Sequence, residues 1–363
     1  MSGRQTPAQD PAKTQDPAKA QDQSPAHDPA PAPTVRAALP WGTVYGLART
    51  LIALGTAGTL AFSGTGTLFS HVVGRDPAPY CDGIQRAGAF CLAPDGQLGL
   101  ARWLCVAVLL LVASGWRPRW TGVAHWYVAF SVHNGISIPD GGDQVAVVLT
   151  LLLIPVTLAD PRRSHWQRIQ EGAVARHRNA RGARAWAVTA AVAFTLAAQL
   201  QVAGIYFQSS IAKLSHQEWA DGTALYYWGN DVAFGAADWL APLLGPLVEW
   251  SPTVALLTWS PLVIEFALAI CLLMPPRVRR HLLVGGFALH LGIGLVMGLW
   301  SFVLVMWGAL LLLCLPIGAQ LPWTVRRATG PGTGTDEPAA ETKAEPAAET
   351  KAEPAEPAPA AGR

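Results

Sequence analysis

Residues 185–207 read AWAVTAAVAFTLAAQLQVAGIYF, a run without a charge or a proline. It is long enough to cross a hydrocarbon layer of about 30 Å, for which a helix needs about 20 residues. This stretch decides the fold. A backbone that passes through lipid must satisfy its own hydrogen bonds, and a single apolar segment does so as a helix. Working outward, seven further stretches have the same character: 45–62, 98–115, 120–137, 144–159, 253–274, 281–298 and 299–317. The stretch 120–137 is weak because it carries His125, His133 and Asn134. The last two form one continuous run of about 36 residues, which as a single helix would be roughly 54 Å long, so it is divided at Gly298. The expected fold is all-α: a polytopic integral membrane bundle of about eight transmembrane helices.

Composition points the same way. Hydrophobic residues make up 51% of the chain and charged residues 14%, with 15 tryptophans, whereas a soluble domain carries about 25% charged residues. Segments 1–43 and 326–363 are built from Pro, Ala, Gln, Asp, Glu and Lys in near-repeats such as Gln15-Asp16-Pro17-Ala18-Lys19, and are expected to be disordered tails flanking a membrane domain at 44–325. No signal peptide precedes the first apolar run, which is therefore expected to act as its own insertion signal and to remain. The net charge of +2 hides a strong asymmetry. Arg117 and Arg119, the cluster from Arg162 to Arg184, Arg277 to Arg280, and Arg326 with Arg327 fall in alternate connections. By the positive-inside rule these connections and both termini are cytoplasmic, in a multi-pass protein of the plasma membrane, and 63–97, 138–143 and 208–252 face outward. Orientation thus accounts for the arginines of 162–184, and no Gly-rich phosphate loop is present, so nucleic acid is not expected as a partner.

Candidate functional residues stand out against this apolar background. Between the tails there is a single lysine, Lys213. An amine held beside hydrocarbon loses hydration and can act as a neutral base, which an arginine cannot; the alternative is that it only snorkels to the interface. Glu265 and His290 fall near the middles of apolar stretches, where a central carboxylate costs about 2.5–3.5 kcal/mol to insert, so both should face the bundle interior. They either pair with each other or share acid–base work with Lys213. Helical spacing puts Tyr206, Ser209 and Ser210 on the Lys213 face.

Segment 208–251 is too polar to span yet is crowded with aromatic residues, among them Trp219, Tyr226, Tyr227, Trp228 and Trp250. It is expected to be an amphipathic interfacial segment on the outward face. It forms either an aromatic belt or a cap over a cavity, and as a cap it makes Tyr206, Trp219 and Tyr226 the substrate-binding candidates. Cys81 and Cys91 lie in an outward connection and are expected to form a disulfide, while Cys105, Cys271 and Cys314 read as packing residues. The spacing of Cys81, Cys91 and His71 matches no zinc pattern, and no metal is expected. No Ser-His-Asp, Cys-His or His-Glu-x-x-His arrangement supports a protease, and the halves show no internal symmetry of the kind many transporters have.

The segment Tyr206-Phe207-Gln208-Ser209-Ser210-Ile211-Ala212-Lys213-Leu214, followed by Trp219, Gly222, Ala224 and Tyr226, resembles the lysine signature of the horizontally transferred transmembrane (HTTM) domain. That domain also forms the membrane part of vitamin K-dependent gamma-carboxylase. The Cys81 and Cys91 loop, Gly115-Trp116-Arg117-Pro118, Asp140-Gly141-Gly142-Asp143-Gln144 and Asp160-Pro161-Arg162-Arg163-Ser164-His165-Trp166 resemble one branch, the sporulation-delaying protein B family. The carboxylase resemblance implies a base at Lys213 that deprotonates a reduced quinone, with His290 and Glu265 matching further functional positions. The branch resemblance implies maturation or export of a secreted peptide toxin from a precursor peptide, together with a small companion protein. Whether the chain is an enzyme stays open at this stage, as does the cofactor, for which the resemblance implies only a reduced quinone. A quinol-dependent carboxylase or epoxidase and a transporter are the alternative readings.

Overall fold

Long apolar segments without an exposed edge to pair with leave helix as the local solution, and regular structure among the described residues is helical throughout. The computed structural model describes residues 39–322, apart from 75, 76, 170 and 233, together with residue 3; the expected tails lie almost wholly outside the described residues. Eight helices carry the architecture: α1 (Thr43–Phe62), α2 (Leu98–Ala113), α3 (Pro118–Gly135), α4 (Gly141–Leu152), α5 (Ala183–Leu214), α6 (Ser251–Ala269), α7 (Pro276–Met297) and α8 (Trp300–Cys314). Of these, α1, α5, α6 and α7 are long and apolar enough to cross a membrane, while α2, α4 and α8 are apolar but shorter.

Prolines and glycines set the boundaries. Pro118 opens α3, where its missing N–H costs nothing. The stretch 144–159 is not one helix: α4 ends at Leu152 and a separate turn, Ile154–Leu158, follows, because Pro155 cannot donate to the preceding ladder. The long run 281–317 breaks at Gly298, which takes a left-handed conformation (φ 71°) and donates its N–H to Gly294 O, a conformation that suits a residue without Cβ. In contrast, α5 continues past Phe207 to Leu214. At 32 residues it is about 48 Å long, more than a hydrocarbon layer requires.

The principal core forms around α1, which packs most extensively on α8 and then on α2. Small residues permit the approach. A Cβ at Gly308 would lie 2.8 Å from Ala48 O and from Ile52 Cγ1, and one at Gly55 would lie 2.5 Å from Val305 Cγ2. In lipid, where burying one more leucine brings little hydrophobic gain, such backbone proximity is what binds helices together. On the outer faces of α2, α5, α6 and α7, large apolar side chains such as Leu104, Phe194, Leu200, Val263 and Val284 are exposed, the surface that a lipid environment covers. Packing also begins ahead of residue 44: Trp41 is buried and its Nε1 donates to Val156 O at 2.8 Å.

The aromatic segment after α5 folds into three short helices, Gln217–Ala220, Ala224–Gly229 and Ala241–Glu249. The second and third pack on α6. Trp219, Ala224 and Leu262 make a small cluster there. In the first long connection, a disulfide joins Cys81 to Cys91 with a Cα–Cα distance of 5.6 Å.

Candidate functional site

The last turns of α5 place Ser209 and Lys213 four residues apart, on one face of the helix. Lys213 Nζ donates to Ser209 Oγ at 2.5 Å and to both oxygens of Glu265 at 2.7 Å. Glu265 comes from α6, which packs along α5, and its side chain is 9% exposed against 24% for Lys213. The indole of Trp219 lies 5.5 Å from Nζ, close enough for a cation–π contact. The ammonium is thus held by a carboxylate, a hydroxyl and an aromatic face.

His290 does not pair with Glu265. Its Nδ1 lies 2.8 Å from Gly286 O, one turn earlier on α7. A carbonyl can only accept, so Nδ1 carries the proton, and in the neutral ring Nε2 is left with its lone pair. The ring sits edge-on to Tyr206 with centroids 6.0 Å apart and tilted against Phe302 at 5.5 Å. Tyr206 is buried, and its hydroxyl has no hydrogen-bond partner.

These groups share one cavity of about 450 Å³, walled by Lys213, Glu265, His290, Tyr206 and Phe302 and edged by the amides of Gln144, Gln201 and Gln208. All three amides are exposed, so water can satisfy polar groups that apolar helices would otherwise leave without partners. The motif Asp140-Gly141-Gly142-Asp143-Gln144 builds one side of it. Asp140 and Asp143 cap α4 reciprocally, each carboxylate accepting the other residue's backbone N–H at 2.9 and 3.2 Å. A Cβ at Gly142 would stand 3.0 Å from Phe302 Cα, so glycine lets the start of α4 lie against α8.

The structure therefore brings Lys213, Glu265, His290 and Tyr206 together, with Trp219 over the amine. Tyr226 is placed elsewhere. It is exposed, stacks edge-on with Tyr227 at 5.5 Å and does not line the cavity. Among the described residues, no group of three or more His, Cys, Asp and Glu is arranged to hold a metal ion.

A second polar cluster escaped the sequence reading. Asp160-Pro161-Arg162-Arg163-Ser164-His165-Trp166 folds into a latch that buries Asp160, Arg162 and His165. Arg162 pairs with Asp160 at 2.7 Å and donates to His165 O at 2.9 Å. The His165 ring is fully buried, and a Cβ at Gly46 or Gly115 would come within 2.9 Å of it. Thr50 Oγ1 donates to Ala113 O and so accepts from His165 Nε2 at 3.2 Å, leaving Nδ1 to accept from Arg49 Nη1 at 3.3 Å. Burial, reinforced by the Arg49 and Arg162 charges and by His125, pushes the His165 ring down to a pKa of about 2. This is a neutral imidazole that braces an arginine, and the signal for it was present in the latch motif.

No protein-family model matches the chain, and no solved structure does. It is 37% identical over 290 residues to the uncharacterized protein YitO of Bacillus subtilis (strain 168), covering 79% of this chain and 90% of the relative. It is 34% identical over 280 residues to sporulation-delaying protein SdpB of the same organism, covering 77% of this chain and 83% of the relative. On that identity and coverage, the chain, a helical membrane protein, belongs to the SdpB family.

Proposed function

We propose that this protein is a plasma-membrane factor in the maturation or export of a secreted peptide toxin, and that it acts by proton transfer at the Lys213–Glu265 pair. The observation that carries this reading is the ammonium of Lys213 hydrogen-bonded to both Glu265 oxygens at the wall of a 450 Å³ cavity. A proton passed from Nζ to the carboxylate converts the ion pair into a neutral amine and a carboxylic acid with no change of net charge. Between apolar walls that exchange costs less than separating the charges. The neutral amine is then the base or nucleophile, and His290 Nε2 is a second proton acceptor in the same cavity. In this reading the partners are membrane lipid, a precursor peptide and a small companion protein. In this reading all eight apolar segments reside in the bilayer, both termini are cytoplasmic, and the Lys213 end of α5 faces outward.

Lys213→Arg tests the chemistry. A guanidinium can pair with Glu265 but cannot lose its proton, so toxin production by cells co-expressing precursor and companion should fall about 10²-fold or more, the scale of a lost general base. Glu265→Gln and His290→Ala should fail similarly at equal abundance. Normal production by Lys213→Arg would reject the proton-transfer reading.

A second reading, a quinol-dependent carboxylase- or epoxidase-like enzyme of the HTTM type, is favoured by the cavity walls. Tyr206, His290 and Phe302 present rings and an unpartnered hydroxyl, surroundings that fit a flat, oxygen-bearing ring. Organic extraction of protein purified from native membrane, followed by mass spectrometry, distinguishes the two: a stoichiometric quinone supports the second, and a retained peptide supports the first.

A further inference from the structure

Cys271 and Cys314 are free, buried and part of the principal apolar core. Cys271 lies in the single turn Cys271–Leu273 that follows α6, and Cys314 is the last residue of α8. Their sulfurs are 3.7 Å apart, within reach of the about 2.05 Å that a disulfide needs. Next to them is a cation. Arg279, at the start of α7, donates to Leu313 O at 2.5 Å, one residue before Cys314, and keeps a buried Nε without a hydrogen-bond partner. The third free cysteine, Cys105, is also buried but belongs to a different apolar cluster from the other two thiols.

We infer that Cys271 and Cys314 form an oxidisable dithiol that closes to a disulfide and ties the end of α6, the helix carrying Glu265, to the end of α8, which carries Phe302 of the cavity wall. With hydrogen peroxide as oxidant, the Cys271 thiolate attacks one oxygen. An S–O bond forms, the O–O bond breaks, and hydroxide leaves as water with the proton that the thiol gave up. Cys314 then attacks that sulfur. The S–S bond forms, the S–O bond breaks, and a second water leaves with the Cys314 proton, so two thiols lose two electrons and the peroxide gains them. The oxidant is little larger than water, so it can reach a buried pair that bulkier thiol reagents cannot.

The test uses the full chain in its own membrane. Treated and untreated membranes are denatured in an alkylating reagent and digested, and the peptides are weighed. The expected result is a Cys271–Cys314 peptide pair two hydrogens lighter than its dithiol and released by dithiothreitol, with Cys105 alkylated. In Cys314→Ser, peroxide should leave Cys271 as a sulfenic acid trapped by dimedone, at least about 10-fold more than Cys105, because Arg279 lies at the Cys271–Cys314 end of the bundle and Cys105 packs in a separate apolar cluster. The inference is overturned if both thiols stay alkylatable after peroxide, if the link forms only once the protein is unfolded, or if Cys105 is oxidised as readily as Cys271.

Discussion

Replacing both members of the Lys213–Glu265 pair should cost less than the two single replacements added together. Lys213→Met leaves a carboxylate whose side chain is only 9% exposed, facing the aromatic cavity wall. Breaking a buried pair by removing one partner costs about 3–5 kcal/mol, whereas an exposed pair is worth about 0–1. Lys213 is itself 24% exposed, which places the expected loss for Lys213→Met at about 2–4 kcal/mol. Glu265→Gln should cost less, about 1–2 kcal/mol, because the ammonium keeps Ser209 Oγ and the Trp219 ring as partners. The double variant buries no unpaired charge and should cost about 1–2 kcal/mol, so the coupling is about 2–4 kcal/mol. Reversible unfolding in mixed micelles, followed as the denaturing detergent fraction rises, reads all four proteins of the cycle. Single costs that add in the double variant to within about 0.5 kcal/mol would mean the two charges do not interact. Lys213 would then be a lysine that merely anchors α5 at the interface.

Three further outcomes are expected. Gly308→Val should destabilise the protein by about 1–3 kcal/mol or more in the same assay, since its side chain would strike Ala48 O and Ile52 on α1; an unchanged midpoint would show that the α1–α8 contact is loose. His165 is held neutral in the folded protein, with its pKa lowered to about 2 by burial and by the Arg49 and Arg162 charges, while an unfolded histidine takes up a proton near 6.5. The unfolded state therefore binds the extra proton below about pH 6.5, and stability should fall with acidification by up to about 1.4 kcal/mol per pH unit relative to His165→Gln, so a difference between the two proteins that stays constant from pH 7 to 5 would refute the neutral brace. For the topology, single cysteines introduced at 176 and 231 should be shielded from and open to an impermeant thiol reagent on intact cells, respectively, and labelling at 176 from outside would invert the proposed orientation.

The helical class, the break at Gly298 and the Ser209–Lys213 neighbourhood could all be read along the chain, because each depends on residues within a turn or two of one another. Apolar run length, a glycine free to take a positive φ and the four-residue repeat are local quantities. So was the suspicion attached to Lys213, Glu265 and His290, since ionisable groups in apolar runs are expensive wherever they point. What they point at was not local. Glu265 is 52 positions from Lys213, and whether it met the lysine or His290 depended on how α5, α6 and α7 are rotated against one another. His290 instead spent its Nδ1 proton on Gly286 of its own helix. Tyr226 and Trp219 looked equivalent as aromatic residues of one segment, yet the turn at Gly222 (φ 77°) stands between them, and only Trp219 faces the amine. The buried Arg49–His165 brace and the Cys271–Cys314 contact likewise join segments far apart in the chain. Composition and periodicity determined that this protein is a bundle of apolar helices with a few costly polar residues inside. Which of those residues touch was decided by interhelical packing, where glycines at 55, 142 and 308 set how closely the backbones approach and a one-residue rotation would exchange every partner.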